Sequence, residues 1–187
     1  MAKYIRLRQL YEIIKTHFYV SVIAFLVGTT LSPMISSKGS KNIFSLIFIL
    51  FYMVMMYNKS ESIARRDRKR YTKETPYKWK GLLLPIGVYV IWGFFYVMYV
   101  VSWENQIITY TSGFINNLLY IMWNYCYYTF INIGSANVGA LSVIMFFTVP
   151  LISCFMGYFA GYRNFDLSEK VAGMVYEKKE EDGKDEK

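Results

Sequence analysis

"FINNLLYIMWNYCYYTFI", Phe114 to Ile131, is the stretch on which the fold turns. It lies in a window, 106–162, without a single ionisable acid or base, and hydrophobicity alone would make it a membrane crossing. Read as a helix, it carries Asn117, Tyr120, Asn124 and Tyr128 on one stripe at i+3 or i+4 spacing, while Leu118, Leu119, Ile121, Met122 and Tyr125 point elsewhere. Whether it crosses decides whether the chain passes through a membrane four times or five.

Four other windows are clear. "FYVSVIAFLVGTTLSPMI" opens an uncharged run bounded by His17 and long enough for a hydrocarbon core roughly 30 Å thick, giving a first span at 18–36. The second, at 42–58, is short, but Lys41 and Lys59 at its ends can snorkel toward water. The third, 81–102, is bracketed by Trp79 and Trp103, placed where amphipathic rings settle at the two interfaces. The fourth, 141–162, ends at Arg163.

Basic residues settle the count. They precede the first span, crowd the loop between the second and third, and return after the fourth, whereas none falls between Trp103 and Ala140. With four spans, all basic residues except Lys38 and Lys41 share one side, which the positive-inside rule makes the cytoplasm. A fifth crossing would move the last six basic residues outside and leave a bare loop inside. The expected fold is therefore an all-α integral membrane protein. It is a four-transmembrane-helix bundle with an N-terminal amphipathic helix, an extracytoplasmic interfacial or re-entrant helix at 114–131, and a charged disordered C-terminal tail. Residues 1–163 form one membrane domain, and 164–187 a cytoplasmic juxtamembrane helix and tail. Both termini are expected in the cytoplasm.

Composition agrees with this frame. Of 187 residues 55% are hydrophobic and 19% aromatic, outside the balance of a soluble domain. The abundance of Phe, Tyr, Ile, Lys and Asn suits a low-GC genome and so a bacterial plasma membrane. The net charge of +8 gathers in exposed segments, above all in "ARRDRKRYTK", Ala64 to Lys73. Arg65, Arg66, Arg68, Lys69 and Arg70 there are the candidate contact for anionic lipid or a protein partner, each charge worth about 1 kcal/mol near a headgroup surface. Nucleic acid is not expected, because no recognition fold surrounds the run. Glu61 and Arg65 at i,i+4 suggest that the second helix continues beyond the membrane toward Thr75-Pro76.

The first residues, "AKYIRLRQLYEIIK", repeat Tyr4, Leu7, Tyr11 and Ile14 at helical spacing with Arg8, Glu12 and Lys15 on another face. They read as an interfacial amphipathic helix leading into an uncleaved anchor, with a plain extension of span one as the competing reading. After span four, Asp166 and Glu169 resemble a capping box before a short helix, and beyond Tyr176 the chain is almost wholly charged.

Little points to catalysis. The one histidine, His17, sits at a membrane boundary without helpers for a triad or metal site, and Cys126 and Cys154 read as buried thiols. No metal and no cofactor is expected. Ala24 with Gly28, and Gly157 with Gly161, are small-xxx-small pairs that let helices approach closely. Pro33, Pro85 and Pro150 are candidate kinks. Ion-coupled carriers usually keep charges inside the membrane, and the spans as bounded above hold none. The expected function is a non-enzymatic accessory or interaction subunit of a membrane complex such as a transporter or envelope assembly, meeting lipid and either another membrane protein or itself. The alternative is a small homo-oligomeric permease or transporter component. The outward contact would be Asn117, Tyr120, Asn124 and Tyr128.

Overall fold

The computed structural model describes residues 7–31, 38–70, 79–104, 111–130 and 140–163, with side chains placed for 7–31, 42–68, 79–102, 113–127 and 143–163. The expected C-terminal juxtamembrane helix and tail, Pro33, Tyr4 and the Thr75-Pro76 stop lie outside the described residues. The described residues form six α-helices in order: α1 Leu7–Leu31, α2 Lys38–Arg70, α3 Lys80–Leu83, α4 Ile86–Glu104, α5 Thr111–Trp123 and α6 Ala140–Arg163, with a 3₁₀ segment at Tyr125–Phe130 between the last two. There is no strand among the described residues. Among the described residues, four helical stretches are long and apolar enough to cross a membrane: Leu7–Leu31, Asn42–Arg68, Lys80–Ser102 and Val143–Arg163.

The first helix is one unbroken rod of 25 residues, about 37 Å long. The amphipathic segment expected ahead of span one forms its first turns, and His17 sits inside the helix instead of at its edge. The reason is visible in the pattern. Gln9, Ile13, His17, Val20, Ala24 and Gly28 recur every three or four residues and are all buried, so one stripe packs inward along the entire length. Likewise α2 runs on past Lys59 to Arg70, 33 residues in all.

Prolines act differently in the third and fourth spans. Before Pro85, α3 is a single turn; helical bonding resumes when the amides of Val88 and Tyr89 both reach the Pro85 carbonyl, at 2.9 and 3.2 Å. In α6 the helix continues through Pro150. There the Tyr89 hydroxyl donates to the Phe147 carbonyl at 2.7 Å, next to the Phe146 carbonyl that the proline leaves without its amide donor.

The most extensive pairing joins α2 to α6. A Cβ on Gly157 would overlap the carbonyl of Tyr57, and one on Gly161 would meet the Glu61 carbonyl and the Ala64 methyl. The small residues of α6 thus let two backbones touch. On α1, Ala24 is fully buried, and at Gly28 the space a side chain would take is filled by the Tyr125 ring and not by another backbone.

The segment 114–131 is not one helix. α5 ends at Trp123, where the Asn124 amide bonds back to both Tyr120 and Ile121 carbonyls at 3.1 and 3.2 Å and its side-chain Nδ2 donates to the Tyr120 carbonyl at 2.8 Å. A short polar side chain competing for backbone partners closes the helix. α5 lies antiparallel along α4: Asn116 bonds Ser102 at 3.1 Å, Tyr120 stacks on Tyr99 with centroids 4.4 Å apart, and Trp123 meets Phe95 at 5.5 Å. Seven residues on each helix separate the first contact from the last, about 10 Å of depth. Trp123 to Tyr127 end up buried among α1, α2 and α6.

Large apolar side chains remain exposed along all four long stretches, among them Ile23 and Leu26 on α1, Leu50 and Val54 on α2, Val90 and Phe94 on α4, and Ile152 and Met156 on α6. Water would penalise this surface and lipid would not.

Candidate functional site

Two buried polar clusters and one surface hub organise the bundle. The first cluster lies at the end where basic residues gather. Asp67 on α2 and Lys80 on α3 pair at 2.7 Å, each with a side chain only 6% exposed. A buried carboxylate needs a counter-charge and hydrogen-bond donors to be tolerated, and here both oxygens are bonded. Oδ2 also accepts from the Tyr158 hydroxyl of α6 at 3.1 Å, and Oδ1 from the Gln9 amide of α1 at 2.7 Å. One carboxylate therefore ties four helices together. It is the only acid inside the run "ARRDRKRYTK".

The second cluster centres on His17. Its Nδ1 lies 3.0 Å from the Tyr52 hydroxyl and its Nε2 3.2 Å from the Trp123 carbonyl, which also accepts from the Ser21 hydroxyl at 3.0 Å. A carbonyl can only accept, so Nε2 carries the proton and the Tyr52 hydroxyl donates to Nδ1. Trp123 closes α5, and the last carbonyls of a helix have no partner within it. Two side chains of α1 thus cap the end of α5 inside the bundle. Around them, the rings of Tyr52, Trp123 and Phe146 lie 4.4 to 6.3 Å from the imidazole.

Glu12 forms the surface hub. Its carboxylate binds the Arg66 guanidinium through both oxygens, the Lys59 ammonium at 3.0 Å and Arg8 at 3.5 Å. Arg65 is bound to Glu61, with Nε at 2.9 Å and a terminal nitrogen at 2.6 Å. Of the five basic candidates, Arg65 and Arg66 are therefore engaged within the chain, Arg68 is exposed, and the side chains of Lys69 and Arg70 lie outside the described residues.

The polar stripe of 114–131 divides in the same way. Tyr120 and Asn124 are buried, at 1% and 2% exposure, and face the chain's own helices. Asn117 is half-buried, and its buried Oδ1 has no hydrogen-bond partner among the described residues. The side chain of Tyr128 lies outside them. Sequence reasoning did not single out Gln9, Tyr52, Asp67, Lys80 or Tyr158. A lone acid among bases and a lone histidine on a buried stripe were the available signals.

Among the described residues no three His, Cys, Asp or Glu side chains gather as metal ligands. Cys126 and Cys154 are free and buried. What the clusters do chemically is hold helices in register through polar contacts in an apolar interior, where few alternative partners exist.

Fold and clusters together define a class: all-helical chains with four helices fit to cross a membrane, fastened by buried polar contacts. Compared with known proteins, the chain matches no family model, no curated protein and no solved structure.

Proposed function

We propose that this chain is a non-enzymatic multi-pass protein of the plasma membrane, with both termini in the cytoplasm, that acts as an accessory or interaction subunit of a larger membrane complex such as a transporter or envelope assembly. The observation that carries this reading is the filled interior. His17, Tyr52, Trp92, Phe95, Trp123, Tyr127 and Phe146 touch ring to ring across the bundle, a packing that favours a solid body over a conduit. A solid body does its work through its faces.

In this reading α5 and the 3₁₀ segment form a re-entrant element, entering from the extracytoplasmic side and capped by His17 and Ser21. The one-sided distribution of Lys and Arg supports the orientation. The exposed apolar faces of the spans meet lipid or a partner's helices, and the basic run supplies a contact to anionic headgroups or a cytoplasmic partner, with Arg68 its exposed member.

The test is purification of the tagged chain from its native membrane in a mild detergent, with bound proteins identified by mass spectrometry and the complex mass determined. A stoichiometric heterologous partner is the expected result. A homo-oligomer without other proteins would overturn the accessory reading and favour a self-sufficient permease.

A further inference from the structure

At the basic end, α1 and α2 leave a surface cavity of about 430 Å³ lined by Arg8, Tyr11, Glu12, Lys15, Tyr19 and Lys59, within the range of about 300–1,000 Å³ for small-ligand pockets. Three of these residues are cationic and one is anionic. Glu12 does not cancel the excess, because it is shared with Arg66 from outside the cavity and its side chain is only 13% exposed, against 78% for Arg8. The acid sits low and positions the cations. Lys15 lies over the Tyr19 ring at 5.4 Å, which holds its charge at the rim.

Below the cavity both walls turn apolar on the same faces. On α1 the positions one and two turns beyond Tyr19 are Ile23 and Leu26, exposed at 46% and 57%; on α2 those before Lys59 are Met55 and Phe51, at 39% and 40%. A cationic pocket with aromatic rims thus opens onto two apolar rails that lead into the membrane-crossing part of the bundle. A free anion would use only the pocket, whereas an amphiphile uses both.

We infer that this groove between α1 and α2 is a binding site for one anionic phospholipid, its phosphate held by Arg8, Lys15 and Lys59 and its acyl chains laid along Ile23, Leu26, Met55 and Phe51. The inference rests on the bundle spanning a membrane, and not on its orientation or on any protein partner, so it stands or falls apart from the accessory role.

The experiment is native mass spectrometry of the purified full chain in a neutral detergent, titrated separately with phosphatidylglycerol, phosphatidylcholine and glycerol 3-phosphate. Phosphatidylglycerol should bind most tightly, and the R8Q/K15Q variant should weaken it by about fivefold per removed charge, while R163Q, an exposed position at the end of α6 outside the groove, leaves it unchanged. A melting temperature on each variant checks folding; K15Q alone, at a rim position, reads the same contact if the double variant melts early. Equal affinity for the two lipids, or unchanged phosphatidylglycerol binding by K15Q and R8Q/K15Q, would overturn the site. Glycerol 3-phosphate binding as tightly as the lipid would overturn its assignment to a lipid.

Discussion

The basic end and the middle of the α1–α2 pair solve the same problem with opposite chemistry. At the basic end, a carboxylate fully enclosed by Lys80, Gln9 and Tyr158 joins four helices. Eight residues further along α1 and fifteen back along α2, His17, Tyr52 and the Trp123 carbonyl share neutral hydrogen bonds among packed rings. Charge is tolerated where a counter-charge is paired with it and both carboxylate oxygens are bonded. Where α5 is inserted, neutral donors suffice to close its open end. The comparison teaches that polar groups in this bundle are fasteners graded by what they join.

The largest effect should come from breaking the charged fastener. Lys80→Met leaves Asp67 buried without its counter-charge and should cost about 3–5 kcal/mol, read as a fall in melting temperature in detergent. Adding Asp67→Asn should restore much of the loss, and failure to do so would mean that Lys80 acts through packing instead of charge.

Next in size is the close approach of α2 and α6. Gly157→Ala places a methyl on the Tyr57 carbonyl and should destabilise by up to about 3 kcal/mol. Gly93→Ala is the matching control, since nothing lies within 4 Å of its Cβ position, and should be neutral or gain up to about 1 kcal/mol from helix propensity. Equal losses at the two glycines would remove the argument from contact.

The neutral fastener should yield less than the charged one. Tyr52→Phe deprives His17 Nδ1 of its donor and should cost about 1–3 kcal/mol by the same melting measurement. A cost equal to that of Lys80→Met would erase the contrast between the two clusters. The smallest effect belongs to the surface: Arg65→Gln loses a partly exposed pair with Glu61 and should change stability by no more than about 1 kcal/mol.

Most of the helical plan was legible along the chain. Uncharged windows mark the four long apolar stretches because a membrane core excludes charge over a fixed thickness, a constraint that acts on consecutive residues. The glycines at 157 and 161 lie where the α2 backbone comes close, and a missing side chain is likewise a local fact. Segment boundaries were less legible. α1 begins eleven residues before the expected span and takes in His17, because what continues a helix past the apolar window is an inward stripe whose partners lie on other helices.

What the sequence by itself determined is which stretches are helical and fit to cross a membrane, and on which side of the bundle the charge collects. Only the tertiary structure decided which polar groups are spent inside. Arg65 and Arg66 look like their neighbour Arg68 in the run, yet Glu61 and Glu12 claim them. Asp67 looks like one more surface charge, yet it is the most enclosed acid described. Asn124 reads as part of an outward stripe, yet it ends α5 within the core. Hydrophobic patterning is written residue by residue along one chain, whereas a hydrogen bond or ion pair between residues such as Gln9 and Asp67, 58 positions apart, exists only once packing has brought both partners out of water.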